Sequence, residues 1–345
     1  MSKRVLQAIC DVIQQDVGNR GLRTDPTDNL ITATAGDFQA ACRSLAEAPN
    51  AAVAIVTGFY IPHAQPPCGE TDGPLGALFL ARALTPLGIR VHLVTDDFCL
   101  EALRAGLEAS RMRQTVPLIV LPRHDQPDAA ALSACDYWRT FSQTYGSITH
   151  LIALERVGPS NHPESLEKQL RSGEDAIREA FIREVPAAHY NRCHTMRGLD
   201  ITTNTSPAHR LFEFEAGPDS RITTMGIGDG GNEIGMGKIP WDVIRRNIPN
   251  GGIVACRVPT DYLLVCGVSN WGAYGLAAGV ALLRGQRLPP KLFDVERERE
   301  LLRVMVERGP LVDGATGQQT VSVDGLSFER YAEPLKRIAR LLASR

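Results

Sequence analysis

The amino-acid sequence predicts an α/β protein with a mostly parallel, Rossmann-like sheet, helices on both faces and an irregular insertion. Three observations support this fold class: short apolar, β-branched segments recur, helical patterns separate them, and several of them run into glycine-rich or acidic loops. A strand that is apolar along its whole length is typical of a parallel sheet, because helices bury both of its faces. We expect one α/β domain over residues 1–345, with the insertion at about 156–220.

The first half of the chain gives the clearest alternation. The opening MSKRVLQAICDVIQQDV predicts an amphipathic helix and not a signal peptide, because Asp11 and Asp16 interrupt its apolar positions. Strands and helices are then predicted in turn: strand 52–60, helix 75–87, strand 90–95, helix 98–110, strand 116–121, helix 129–145 and strand 149–155.

The second half is less regular. We expect a helical stretch at 164–184, a loop at 189–203, a strand at 221–228, strands at 253–258 and 262–268 that could form an antiparallel pair, and helices at 295–308 and 326–343. Residues 262–283 carry no charge and are long enough to cross a membrane. Ser269, Asn270 and Gly272 predict a turn in the middle of this stretch, so we interpret it as a buried strand followed by a helix.

Composition excludes some classes of function. The net charge of -2 argues against a nucleic-acid partner. Eight cysteines without a C-x-x-C pair indicate reduced thiols and a cytoplasmic protein. We expect no membrane partner, and a homo-oligomer is compatible with this composition.

The loop GETDGP is the first candidate for chemistry. Glu70 and Asp72 stand beside Gly73 and Pro74, which predict a tight turn and the start of a helix. The free N–H groups of that helix start could bind a substrate carboxylate. The alternative is that Asp72 only caps the helix.

The loop GIGDGGNEIGMGK is the second candidate. Asp229, Asn232 and Glu233 offer oxygen atoms suited to a hard cation or to a substrate ammonium group. The spacing G-x-G-x-x-G occurs here, but no apolar-faced helix follows and no acid lies about twenty residues further on. We therefore expect no nucleotide cofactor. A packed loop without function is the other alternative.

Three further features are weaker. Glu155 and Arg156 close a predicted strand and form either a salt bridge or a ligand clamp. Arg197, near His194 and Asp200, could hold a carboxylate in bidentate fashion. Cys68 adjoins the first acidic loop, although a buried cysteine commonly serves as a small apolar residue.

Several phrases of the sequence resemble the D-glutamate cyclase family. They are TGF at 57–59, GETDGPLGA at 69–77, LERVG at 154–158, MRGLDIT at 196–202, GDGGNEIGMGK at 228–238, GVSNWGAYGL at 267–276 and VDGATG at 312–317. The resemblance implies a lyase that cyclises D-glutamate to 5-oxo-D-proline with loss of water. The alternatives are another small amino- or hydroxy-acid lyase of the same fold, or a non-catalytic small-molecule-binding protein.

This chemistry suggests a role for each candidate. We assign Glu70 and Asp72 to the amine of the substrate, and Asp229, Asn232 and Glu233 to a divalent cation (manganese or magnesium) or to acid catalysis. Asp229 and Glu233 are the predicted metal ligands. The predicted substrate-binding residues are Gly73 at the helix start, Arg197, Asn232, Ser269 and Asn270, and all of them except Asn232 are assigned to the substrate carboxylates.

Overall fold

A six-stranded parallel sheet forms the centre of the structure. The computed structural model describes residues 2–123, 134–169, 174–213 and 222–344. The strands are β1 (Ala52–Thr57), β2 (Arg90–Thr95), β3 (Leu118–Val120), β4 (His150–Leu154), β5 (Thr223–Gly228) and β6 (Tyr262–Val265). Their order across the sheet is β3-β2-β1-β4-β5-β6, and every neighbouring pair is parallel.

The strand order reverses between β1 and β4. The chain builds the sheet outward from β1 to β3 and then returns to the other side of β1 as β4, where Thr57 pairs with Leu154. In an open parallel sheet, ligands bind outside the carboxyl ends of the strands at such a reversal. A ligand-binding site is therefore expected at the loops that follow β1, β4 and β5.

Helices cover both faces of this sheet. The longer ones are α1 (Ser2–Ile13), α2 (Asp37–Glu47), α3 (Pro74–Leu84), α4 (Asp97–Ala109), α5 (Ala134–Tyr145), α6 (Asp175–Glu184), α7 (Ser269–Leu283), α8 (Val295–Arg308) and α9 (Glu333–Ala343). Short helical segments are Leu30–Ala33, Thr85–Leu87, Pro163–Glu167, Ala187–His189, Thr202–Asn204, Ala208–Leu211, Trp241–Asn247, Gly251–Val254, Pro290–Phe293 and Phe328–Tyr331. Two antiparallel pairs of two-residue strands join Tyr60–Ile61 to Cys68–Gly69, and Ser322–Val323 to Leu326–Ser327.

Alternate residues of β1 face two different cores. Val53 and Ile55 pack into the core that contains Phe79 of α3. Val56 packs into the opposite core, which contains Trp241. Burial on both sides explains why β1 is apolar from Ala52 to Val56, and it confirms the predicted α/β fold with a parallel sheet between helices.

The apolar stretch 262–283 divides as the sequence predicts. It forms β6 and α7, with Ser269 as the first residue of the helix. Gly279 lets α7 approach α2 closely, because a Cβ there would lie 2.3 Å from Sγ of Cys42. Nowhere in the described ranges does a helix have the length and apolar character needed to cross a membrane.

Several predicted boundaries were wrong. Residues 253–258 do not form a strand: Gly251–Val254 is a short helix, and β6 instead joins the parallel sheet beside β5. Short apolar segments fit either structure, so periodicity cannot separate them. The predicted helix 326–343 is interrupted, and Pro334 lies in the first turn of α9, where its missing N–H is tolerated. In the described residues of the stretch 164–184 there are two helices, Pro163–Glu167 and α6, and residues 170–173 lie outside the described residues.

Other boundaries moved by a few residues. The first predicted strand ends at Thr57 because Gly58 has a φ of 117° and turns the chain away. The predictions for β2 and α8 are confirmed residue by residue. Residues 129–133 of one predicted helix and residue 221 of a predicted strand lie outside the described residues.

Candidate active site

Three buried carboxylates meet at the carboxyl end of the sheet. Glu155 follows β4, Asp229 follows β5, and Asp72 ends the loop that leads from β1 to α3. One oxygen atom from each lies within 4.8 Å of the others. The topology therefore brings the two predicted loops together at the reversal of strand order, and it adds Glu155 to them.

Asp72 caps a helix, but not the one that follows it in sequence. Its Oδ2 accepts a hydrogen bond of 2.8 Å from the backbone N–H of Ser269, and its Oδ1 accepts one of 2.8 Å from that of Asn270. These N–H groups begin α7. The alternative that Asp72 caps α3 is therefore wrong, because its carboxylate accepts the first N–H groups of α7.

Asn270 caps α3 in return. Its Oδ1 accepts hydrogen bonds from the N–H groups of Gly73 at 2.9 Å and of Gly76 at 2.7 Å. The predicted anion site at the start of α3 therefore loses two of its donors to the protein. Ser269 donates its hydroxyl to Oε2 of Glu155 at 2.5 Å. Substrate contacts by Gly73, Ser269 and Asn270 stay predictions that this geometry does not favour.

Glu155 and Arg156, adjacent in sequence, have different roles: Arg156 forms a buried salt bridge and Glu155 belongs to the carboxylate cluster. Arg156 is fully buried, donates to Asp96 at 2.8 Å and to the carbonyls of Gly58 and Ser206, and so forms a salt bridge behind the site. Glu155 has a φ of 46°, a conformation that is costly for a residue with a side chain. Because of this turn, the side chain of Arg156 points to Asp96 behind the site, while that of Glu155 stays in the carboxylate cluster.

Glu233 holds its own loop together. Its Oε1 accepts from the N–H groups of Asp229 at 2.7 Å and Gly230 at 2.6 Å, and its Oε2 accepts from that of Gly231 at 2.7 Å. Asn232 donates its side-chain amide to the carbonyl of His194 at 2.8 Å. The catalytic and metal roles predicted for Glu233 stay predictions, and the geometry favours a positioning role for it.

Two charged residues of the site have no motif in the sequence. Arg20 contacts Asp229 at 3.2 Å and Asp324 at 2.7 Å. Asp16 fixes the loop that carries Arg20 by accepting the N–H groups of Arg20, Gly21 and Leu22. Sequence reasoning missed Arg20 and Asp324, because each stands alone in a loop without a recognisable pattern.

The segment VDGATG, residues 312–317, forms a loop that packs against the first acidic loop. Asp313 is fully buried and accepts N–H groups from Ala315, Thr316 and Gly325 at 2.8 to 3.0 Å. Gly314 lies against Glu70, since a Cβ on it would sit 1.7 Å from Oε2 of that residue. The loop thereby closes over the first acidic loop.

A pocket of about 280 Å³ opens beside the carboxylate cluster, and Glu155 is the member of the cluster that lines it. Its charged and titratable lining residues are Arg20, His63, Glu70, Glu155, Arg197 and Asp324. Arg197 is exposed at the rim and donates to the carbonyl of Ala315 at 2.8 Å. Of the predicted site residues, Glu70, Arg197 and Asn232 line this pocket.

Burial and mutual repulsion favour protonated acids here. Burial, followed by the charge of Asp324, raises the pKa of Glu70 well above its usual value. Burial, followed by the charge of Glu233, does the same to the pKa of Glu155. Burial raises the pKa of Asp229 as well, although Arg20 opposes this shift. Burial and Asp324 raise the pKa of Asp72, against the hydrogen bonds from Asn270 and Ser269.

The three clustered carboxylates retain free lone pairs. Oδ2 of Asp229 is buried without a hydrogen-bond partner in the described part of the chain. Oδ2 of Asp72 accepts the N–H of Ser269, and each carboxylate oxygen has capacity for a second partner. Three crowded carboxyl groups that lose their protons on metal binding supply only oxygen ligands, which suit a hard cation such as Mg²⁺ or Mn²⁺. The cluster could hold a metal, with Asp72 and Glu155 beside Asp229 in place of the predicted Glu233.

Cys68 has the surroundings of a packing residue. Its side chain is buried, and burial raises the pKa of its thiol to about 11. The reactive form of cysteine is the thiolate, so this environment favours the apolar interpretation.

The fold and pocket define an α/β protein with an acidic pocket at the topological switch point of a parallel sheet. The chain belongs to the family described as D-glutamate cyclase-like, C-terminal, which matches residues 9–169 and 179–339. It is 27% identical over 349 residues to the mitochondrial D-glutamate cyclase of Homo sapiens. That alignment covers 94% of this chain and 49% of the human protein, so the chain spans about half the length of this relative.

Proposed function

We propose that this protein is a lyase that cyclises D-glutamate to 5-oxo-D-proline with release of water. The observation that carries the proposal is the pocket, which Arg20 and Arg197 line together with the buried acids Glu70 and Glu155. A small amino acid with two carboxylates and one ammonium group complements this arrangement of charges. Family membership and the human relative support the same reaction class.

A divalent cation, manganese or magnesium, is part of the proposal. Asp72, Glu155 and Asp229 would hold it through the lone pairs that hydrogen bonds leave free. When bound, the cation would neutralise the cluster and polarise the carboxyl group that reacts. Three buried carboxyl groups outnumber Arg20, which contacts Asp229. Buried negative charges in excess of their partners are costly, which is a physical reason for a cation in this position.

The residues of the pocket have distinct tasks in this proposal. Arg197 binds the α-carboxylate at the rim, because a guanidinium matches a carboxylate in bidentate fashion. Glu70 keeps its proton, since burial and Asp324 raise its pKa, and donates it to the oxygen that leaves as water. This changes the assignment of Glu70 from the amine to the departing oxygen. Glu233 and Asp313 position the loops that carry Asp229 and Gly314.

The decisive experiment offers D-glutamate to the purified protein, with and without manganese or magnesium, and follows 5-oxoproline by chiral chromatography. We expect product from the D form, and a loss of about 100-fold or more in kcat for Asp229→Asn. Glu164→Gln is the matched control, because Glu164 is exposed and lies outside the pocket. Its rate should equal that of the wild type.

A related substrate is the second candidate. The identity of 27% to the human relative leaves room for a change of substrate within one chemistry. Turnover of another small amino or hydroxy acid, with no 5-oxo-D-proline from D-glutamate under any metal condition, would replace the first proposal by this one. Binding without turnover, with no effect of Asp229→Asn on any rate, would indicate a small-molecule-binding protein.

A further inference from the structure

His63 lies in the wall of the acidic pocket. It belongs to the loop between the short strands Tyr60–Ile61 and Cys68–Gly69, on the side where Glu70 and Arg197 also line the pocket. The sequence analysis assigned no role to it, because a single histidine between prolines and alanines has no motif.

The ring of His63 is fixed by packing, but its two nitrogens make no hydrogen bond to the described residues. Gly317 packs on the ring: it has a φ of 71°, and a Cβ added to it would lie 2.8 Å from Cδ2 of His63. Within the described residues, neither Nδ1 nor Nε2 has a hydrogen-bond partner, although both are buried. An unpartnered buried nitrogen is costly, so its persistence in a pocket wall points to a group that arrives with a ligand.

The surroundings of His63 keep its ring neutral. Burial, followed by the positive charge of Arg197, lowers its pKa below the usual 6.5. A neutral imidazole has one nitrogen that accepts a proton, which is the state that a general base requires near pH 7.

The other lining groups are poor candidates for this task. Arg20 and Arg197 have no acceptor atom. Glu155 accepts the hydroxyl of Ser269, and Asp324 is paired with Arg20. We propose that His63 is the general base that removes a proton from the ammonium group of the bound amino acid. This inference rests on the proposed function and adds a residue to it.

The proton balance of the reaction accommodates this role. His63 takes one proton from the ammonium group, and the freed amine attacks the side-chain carboxyl carbon to form the C–N bond. The nitrogen later loses a second proton, and the C–O bond to one carboxyl oxygen breaks. Glu70 donates its proton to that oxygen and the His63 imidazolium donates another, so that the oxygen leaves as water. The second proton lost by the nitrogen restores Glu70. No oxidant or further reactant is consumed.

The test compares His63→Gln with His162→Gln under the D-glutamate assay. His162 is a partly exposed histidine that pairs with Glu164 and does not line the pocket. We expect His63→Gln to lose about 100-fold or more in kcat, with KM changed by less than about threefold, and His162→Gln to match the wild type. Added imidazole should restore part of the activity of His63→Ala.

The outcomes separate the two proposals. Product from the wild type with unchanged kcat in His63→Gln would overturn the role of His63 and leave the proposed function standing. No product from the wild type would overturn the proposed function and this inference with it. Should the variants fail to fold, the wild type provides the answer. The pKa of His63 measured by NMR should lie below 6.5 and coincide with the acid limb of the kcat/KM profile, and a mismatch of more than about one pH unit would overturn the inference.

Discussion

Asp72 and Asn270 cap the N-termini of each other's helices. Asp72 accepts the first N–H groups of α7, and the side-chain oxygen of Asn270 accepts those of Gly73 and Gly76 at the start of α3. The positive ends of two helix dipoles therefore converge beside the carboxylate cluster. This arrangement fixes the geometry of Asp72 and offsets part of the negative charge around it.

Removal of this reciprocal cap should weaken the fold. In Asn270→Ala the buried N–H of Gly76 loses its acceptor, and that of Gly73 keeps only Oδ1 of Asp72. We therefore expect a loss of about 2–4 kcal/mol in the free energy of unfolding. The matched control is Asp294→Ala, which removes the exposed cap of α8 and should cost only about 1 kcal/mol. Denaturation by urea measures both values. Equal losses in the two variants would contradict a special role for the buried cap.

Glu233 and Glu155 should differ when each is changed to glutamine. Glu233→Gln places an amide N–H₂ among three backbone donors, so we expect about 2–3 kcal/mol less stability. Glu155→Gln leaves the loop intact and relieves repulsion, but weakens manganese binding by about tenfold or more. Calorimetric titration with manganese and urea denaturation separate the two effects. Unimpaired manganese binding in Glu155→Gln would remove Glu155 from the metal cluster.

The stability of the metal-free protein should fall as the pH rises above about 4.5, where glutamate side chains of the unfolded chain lose their protons. The native pKa of Glu155 is raised by burial and by Glu233, so the native state keeps a proton that the unfolded chain has already lost. In this range each such group lowers the free energy of unfolding by about 1.4 kcal/mol per pH unit until it ionises in the native state. His150 and His194 act in the opposite direction, but only below about pH 6.5, because burial lowers the pKa of each to about 4.

Urea denaturation in the presence of a chelator, between about pH 5 and pH 9, tests this expectation through the difference between the wild type and Glu155→Gln, in which the histidine contributions cancel. Glu155→Gln should show a smaller slope than the wild type, while Glu164→Gln should match it. Equal slopes in the wild type and Glu155→Gln over the whole range would contradict the raised pKa of Glu155.

Arg197 should govern substrate binding more than turnover. Arg197→Met removes the guanidinium at the rim, and we expect KM for D-glutamate to rise by about 10- to 100-fold with little change in kcat. Arg192→Met is the control, because Arg192 is an exposed arginine of the same loop that does not line the pocket. A loss confined to kcat would place Arg197 near the reacting atoms instead of the α-carboxylate.

The sequence alone determined the fold class and the general location of the site. Strands buried on both faces must be apolar throughout, so β1, β2 and β4 were visible as apolar segments. The carboxyl ends of parallel strands share one edge of the sheet, so the loops with Asp72 and Asp229 could be expected to meet. Glu155 was recognised as a charged residue at a strand end, with two interpretations left open.

Only the tertiary structure decided what each acid does. Asp72 and Asn270 are separated by 198 positions in the chain, and the N–H groups that Asp72 caps belong to α7. Arg20 and Asp324 reach the site from opposite ends of the chain. Such contacts have no local signature, because a hydrogen bond between distant segments requires only that the fold bring a donor and an acceptor together. Glu155 and Glu233 are the same residue type and differ only in their surroundings. The carboxylate of Glu155 keeps free lone pairs, whereas that of Glu233 accepts three backbone N–H groups.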